Sequence, residues 1–229
     1  MNDELIEKMH GFNLPYIKIE RFIKSFEKDY DAEIVALVSS WLANGYRNEE
    51  FVVEYIVNEI MGGHPCQYVL TKKDYDTDNP ISMCGMMTFG NFDMLMLKLK
   101  QTNLLMDGLQ CTIGKYMNNG RHKCKYVHNA LSLMLGGGTG FPTVQSNGTF
   151  FRFNHLVYML SHRLKLWNDL DKERMLLPCN DHIFQRAYEC GIVRRPMKST
   201  LRNTIELTKI AKGMLGNDFF LMYDFLNYG

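Results

Sequence analysis

Apolar residues recur along this chain mostly at helical spacing. After Asp29, Tyr30 and Asp31, residues Ile34, Leu37, Val38, Trp41 and Leu42 fall at i, i+3, i+4, i+7 and i+8, a single stripe that ends near Gly45. Asn48 can cap a second helix in which Val52, Tyr55, Ile56 and Ile60 face inward, and Gly62-Gly63-His64-Pro65 breaks it. The acidic stretch 72–80 reads as an exposed loop. A Met- and Leu-rich run over 93–105 predicts a further helix, 111–118 a short one and Val127–Leu135 another.

Further along, Phe153, Leu156, Val157, Leu160 and Leu164 mark the buried face of a long helix, with Arg152, His155, His162 and Arg163 on its other side. Asn180 or Asp181 caps a short helix carrying Ile183, Phe184, Ala187 and Tyr188, which Gly191 stops. Ser199 opens the next, with Leu201, Ile205, Ala211, Met214 and Leu215 inside, and 218–228 supplies the last. No segment sustains alternation of period 2, so the predicted fold is all-α. The glycines at 136–140 and the polar residues through Gly148 mark a lobe boundary. The expected organisation is an N-terminal helical lobe over 1–135, a connection over 136–148 and a C-terminal helical lobe over 149–229.

Composition narrows the function classes. With 229 residues, 46% hydrophobic and 22% charged, the chain can bury a core without a metal or disulfide staple. Lys and Arg number 26 against 25 Asp and Glu, so an anionic partner must be met by a local patch. The six cysteines form no C-x-x-C pair and read as reduced thiols of a cytoplasmic protein. The acidic start lacks an apolar signal region, and no run approaches the ~18–20 apolar residues of a membrane span. His64-x-Cys66 and His122-x-Cys124 resemble metal half-sites but lack a spaced second pair, so neither metal nor cofactor is expected. The 136–140 loop could let backbone N–H groups approach a phosphate, yet it lacks the Gly-Lys-Ser/Thr ending of a P-loop and reads first as a flexible connection.

The most informative stretch is Leu176-Leu177-Pro178-Cys179-Asn180-Asp181-His182-Ile183-Phe184. It resembles the Val-Asp-Thr-His-Ile-Phe-Arg run that opens a helix in the helix-hairpin-helix, endonuclease III-like DNA glycosylase superfamily. The resemblance extends, to a poorly characterised bacterial branch of that superfamily, through Asp31-x-Glu33-Ile34, Trp41-Leu42-Ala43-x-Gly45-x-Arg47, Arg152-x-Asn154 and Leu166-Trp167. Glu206-Leu207-Thr208 and Tyr223-Asp224-Phe225 resemble it too. The resemblance implies a two-lobed monomer that bends duplex DNA and extrudes one nucleotide into a cleft, at a cost of a few kcal/mol of unstacking, because a stacked base hides its reactive atoms.

Three departures shape what can be carried over. The helix-opening aspartate of the glycosylases falls on Asn180 in an ungapped match. A carboxylate about 4 Å from a developing cation contributes roughly 4 kcal/mol at an effective dielectric near 20, on the order of a thousandfold in rate. Asp181 takes that role only with the turn shifted by one residue. The branch's lysine position is Phe151, which disfavours Schiff-base strand cleavage. The Leu-Pro-Gly-x-Gly hairpin and the cluster cysteines are absent, so no iron–sulfur cluster is expected.

The resemblance thus implies a glycosylase-like enzyme that hydrolyses the N-glycosidic bond of a flipped, modified base without cutting the strand. Asp181, Asn180 and His182 are the candidate catalytic residues. Trp41, Arg47, Asn154 and Asp224 are candidates for the base pocket. Arg152, His155, Arg163, Lys165, Arg194, Arg195, Lys198 and Arg202 are candidates for DNA contact, chosen by position and charge. Two alternatives stand beside this reading: a transferase that elaborates a flipped, hypermodified thymine, and a non-catalytic DNA-binding protein on the same scaffold.

Overall fold

Helix α3 (Asp29–Leu42) is the axis of the molecule, with both polar and apolar side chains from Ala32 to Leu42 buried. A helix buried on all sides must be surrounded, and α3 is packed by α2 (Lys18–Lys24), α4 (Glu49–Tyr55), α5 (Pro65–Thr71), α7 (Leu104–Asn118) and α9 (Phe151–Tyr158). The computed structural model describes residues 3–13, 17–43, 49–102, 104–118 and 124–229. Gly45 and Arg47 of the sequence motif, and His122 of the second metal half-site, lie outside the described residues.

The remaining helices are α1 (Asp3–His10), α6 (Phe89–Gln101), α8 (Val127–Leu135), α10 (Asp181–Glu189), α11 (Leu201–Leu215) and α12 (Phe220–Tyr228). The fold is mostly helical, as the spacing predicts. The one addition among the described residues is a small antiparallel hairpin, β1 (Ser82–Cys84) against β2 (Met87–Thr88), in which Ser82 pairs with Thr88 and Cys84 with Met87. Strands this short leave no period-2 signal to read.

Local chemistry sets the element ends. Thr88 and Asn91 form a reciprocal cap at α6, each side chain accepting the other's backbone N–H at 3.1 Å. Asn180 caps α10 through a 3.0 Å bond from Ile183 N–H, and Thr200 caps α11. α4 and α9 each run on into a π-helical turn, at Ile56–Ile60 and Met159–Arg163. The wider turn takes the residues within and beyond it out of 3.6-residue phase. His162 and Arg163, expected on a basic outer face, therefore turn toward the protein.

One apolar cluster runs from Met9 through α3, α6, α8 and α9 to Leu226. It passes continuously across the glycine-rich segment. That segment is fastened to three helices: Trp41 Nε1 donates to Thr139 O at 2.6 Å, Arg152 Nη1 to Gly140 O at 2.9 Å, and Asn91 Nδ2 to Gly138 O at 2.8 Å. The 136–140 loop is thus an anchored part of the core's edge. No described helix is long and apolar enough to cross a membrane.

Candidate functional site

A cavity of about 650 Å3 is lined by α3, α7 and the segment after α9. Asp29, Tyr30 and Glu33 come from α3, Gln110, Cys111 and Lys115 from α7, and Leu166 and Asp169 from the third side. Glu33 is a carboxyl group only 6% exposed, on an otherwise apolar stretch of helix. Such a group needs partners, because burying an unpaired charge costs far more than a helix can return.

Its two oxygens are held by two separate segments of the chain. Oε1 accepts a 2.6 Å bond from the indole N–H of Trp167, and Oε2 accepts a 3.0 Å bond from Leu109 N–H. Gly108 makes the second contact possible. Its φ of 75° breaks α7, so that Leu109 opens a fresh helical run whose first amides lack partners within the helix. A Cβ on Gly108 would also meet Tyr30 Cε1 at 3.1 Å and Glu33 Oε2 at 3.5 Å. Burial raises the Glu33 carboxyl above the usual carboxylate range, the Leu109 and Trp167 bonds oppose this, and Asp29 adds to it. A carboxyl raised in this way holds its proton to higher pH than an exposed one, which suits it to pass that proton to a leaving group.

Asp31, two residues before Glu33, works in the same manner at another helix start: its Oδ1 accepts a 2.7 Å bond from Cys66 N–H near the N-terminus of α5. The Asp31-x-Glu33 pair thus caps two helical runs, and Glu33 lines the cavity.

The residues selected from sequence are distributed differently. Asn180 is the cap of α10, while Asp181 is exposed and accepts a short hydrogen bond from Ser199 Oγ. His182 is exposed beside them. None of the three lines the Glu33 cavity. Of the residues chosen for a base pocket, Trp41, Asn154 and Asp224 are all buried and bonded inward. Trp41 holds Thr139 O, Asn154 Nδ2 holds Thr149 O at 3.0 Å, and Asp224 accepts from Tyr158, His162 and Arg163. The fourth, Arg47, lies outside the described residues.

The residues chosen for DNA contact divide into two sets. Arg152 reaches Ala43 O at 3.4 Å and Gly140 O, and His155 Nδ1 lies 3.1 Å from Ser40 Oγ. Arg163 pairs with Glu20 at 2.5 Å and with Asp224 at 3.4 Å. These three serve interior contacts. Lys165, Arg194, Arg195, Lys198 and Arg202 are exposed. Arg194 and Arg195 border a shallow cavity with Ile192, Met197 and Glu206, and Arg202 and Lys209 flank the neighbouring one across the same Glu206. The arrangement is a basic face along α11.

Glu33 is absent from the sequence-derived candidates, although a signal for it exists. It sits one turn before Leu37 and two before Trp41, so a carboxyl occupies the apolar stripe itself.

A family model matches residues 20–229. The chain belongs to that family, described as Protein of unknown function (DUF2400). The match takes in Glu33, Gly108, Trp167, the helix-opening Asn180-Asp181 and the basic face, so the cavity and its supports lie wholly within the family's own segment. No curated protein and no solved structure matches the chain.

Proposed function

We propose that this protein acts on a modified base flipped out of duplex DNA, hydrolysing its N-glycosidic bond without cutting the strand, with Glu33 as the proton-carrying group. The observation that carries this reading is the buried Glu33 carboxyl at an open cavity of about 650 Å3. A ligand pocket of this size, with one proton-active group held by fixed donors, is the usual form of a small-substrate site. The sequence resemblance to the helix-hairpin-helix glycosylases supplies the substrate class. Two of its motifs, Asp31-x-Glu33 and Leu166-Trp167, supply the carboxyl that lines the cavity and the buried indole bonded to it.

In this reading Glu33 in its acid form donates a proton to the departing base, water adds to the sugar carbon that the base leaves and gives up a proton to solvent, and Trp167 and Leu109 N–H take up the negative charge left on the carboxylate. Asp29 and Asp169, on the cavity wall, favour positive charge developing on the sugar. Arg194, Arg195, Lys198 and Arg202 contact phosphates and set no sequence preference. The protein works as a cytoplasmic monomer on duplex DNA and requires no cofactor.

A non-catalytic DNA-binding role is favoured by one specific observation: both Glu33 oxygens already have partners, so the carboxyl also serves as a cap for the run after Gly108. Incubating the protein with duplexes that carry many different modified bases, with mass spectrometry of the released material, separates the two. Free base with an intact strand supports the enzyme. Salt-dependent binding with no release from any duplex supports the binder and overturns the enzyme.

A further inference from the structure

Phosphate contacts use the charge of the α11 face and leave its apolar floor without a role. Two hollows, of about 430 and 460 Å3, lie on either side of the exposed Glu206. Ile192, Met197 and Ile210 line the first, Leu201 and Ile205 the second, and all five are half-buried. The inward side of α11 is Thr204, Leu207, Thr208, Ala211 and Leu215. Ile205, which helical spacing places inside, therefore stands on the flank of the helix. Ile192, Met197, Leu201 and Ile210 touch the core with one side, whereas Ile205 is not packed against it.

The rim of these hollows is cationic. Arg194 and Arg195 border the first and Arg202 and Lys209 the second, all four exposed, against the single carboxylate of Glu206. Among the described residues none of the four is ion-paired. A phosphodiester backbone gains from such cations but carries no large apolar side chain to fill a hollow. A protein helix does both: apolar side chains at i, i+3, i+4 and i+7 enter a groove, and acidic residues flanking that stripe meet a basic rim. Arginine beside apolar hollows is also the usual composition of a protein interface.

We propose that the α11 face takes an acidic amphipathic helix of another protein, with its apolar side chains in the two hollows and its carboxylates on Arg194, Arg195, Arg202 and Lys209. The phosphate contacts proposed above use the same arginines, so this helix and duplex DNA exclude one another. That exclusion rests on the DNA reading, whereas the docking of the helix does not.

The test is fluorescence anisotropy of the full chain with a labelled helical peptide that has leucines at i, i+3, i+4 and i+7 and glutamates on both flanks. The expected result is saturable binding that weakens at least about tenfold when serines replace the leucines, the order expected for losing buried apolar side chains, and that also weakens when glutamines replace the glutamates. Ile205→Ser, at a position outside the core, weakens the leucine peptide about tenfold and leaves binding of an unmodified duplex unchanged. The docking is overturned if the leucine peptide does not bind, if the serine peptide binds equally well, or if a folded Ile205→Ser protein binds the leucine peptide as wild type does. Equal binding of the serine peptide would assign the face to polyanions such as nucleic acid. The peptide comparisons use wild-type protein, so they decide the matter even if Ile205→Ser fails to fold. Displacement of a labelled duplex by the leucine peptide supports the exclusion, and simultaneous binding overturns it. A duplex that does not bind while the peptide does removes the DNA reading and supports the docking.

Discussion

The indole N–H of Trp167 donates a 2.6 Å hydrogen bond to Glu33, across 134 residues of sequence. The bond joins the central helix α3 to the segment after α9. Trp167→Phe keeps most of the packing and leaves one oxygen of a buried carboxyl unsatisfied, a loss of about 1–3 kcal/mol. Urea unfolding read at unchanged slope, with Trp41 as the remaining fluorophore, measures it. The same substitution removes a donor that lowers the Glu33 pKa, so it raises that pKa further, and any activity needing the acid form extends to higher pH.

His128 and His155 give the fold an acid limit. His128 is buried between the rings of Tyr126 and Phe150, at centroid distances of 5.6 and 4.5 Å. Burial lowers both histidines from 6.5 to about 4. The fold thus favours the neutral rings, and their contribution is complete above pH 6.5 and lost as pH falls from there toward about 4. His128→Phe preserves the stacking and removes one titration, so stability should fall less steeply over that window, by about 1.4 kcal/mol per pH unit where the wild-type ring titrates fully. Unfolding midpoints at a series of pH values, with a pH dependence unchanged by the substitution, would contradict this.

Asp224 acts as a structural strut. It is fully buried and accepts from Tyr158, from His162 Nε2 at 2.9 Å and from Arg163 Nη1 at 3.4 Å, fastening α12 to the π-turn after α9. Asp224→Ala removes a buried carboxylate that Tyr158, His162 and Arg163 share and costs roughly 3–5 kcal/mol. The expected readout is a lowered unfolding midpoint.

The basic face and the α10 cap should separate in experiment. Replacing Arg194 and Arg195 with Gln lowers the slope of log binding constant against log salt by about 1 for each phosphate no longer neutralised. Asp181→Ala removes an exposed side chain that is bonded to Ser199, and under the proposed function it leaves base release unchanged. Loss of release in Asp181→Ala with full binding would return the reactive centre to α10.

How much was legible in the sequence depends on the physics of each element. The apolar stripes of α3, α8 and α11 predict their helices because a buried face repeats at 3.6 residues. The hairpin at 82–88 has too few residues to alternate, and the π-turns at 56–60 and 159–163 leave no mark in composition. The second π-turn decides the place of Arg163, which reads as an outer basic residue and is paired instead with Glu20 and Asp224. The glycine run reads as a flexible connection because glycine signals freedom of φ, whereas Lys98, Asn91, Trp41 and Arg152 fix it from other parts of the chain. The Asn180 cap is readable, since capping is local. The sequence marks Glu33 only as a carboxyl within the apolar stripe; that Leu109 and Trp167 converge on it is a property of the tertiary fold.

Under the proposed function Glu33 donates a proton and does more than cap a helical run. Single-turnover base release from the best duplex found in the screen, measured against pH for wild type and Glu33→Gln, distinguishes them. If Glu33 is the proton donor, the wild-type rate falls as pH rises through its raised pKa, and a folded Glu33→Gln protein binds the duplex but releases no base. Release by Glu33→Gln at the wild-type rate, with the same pH profile, would contradict that role.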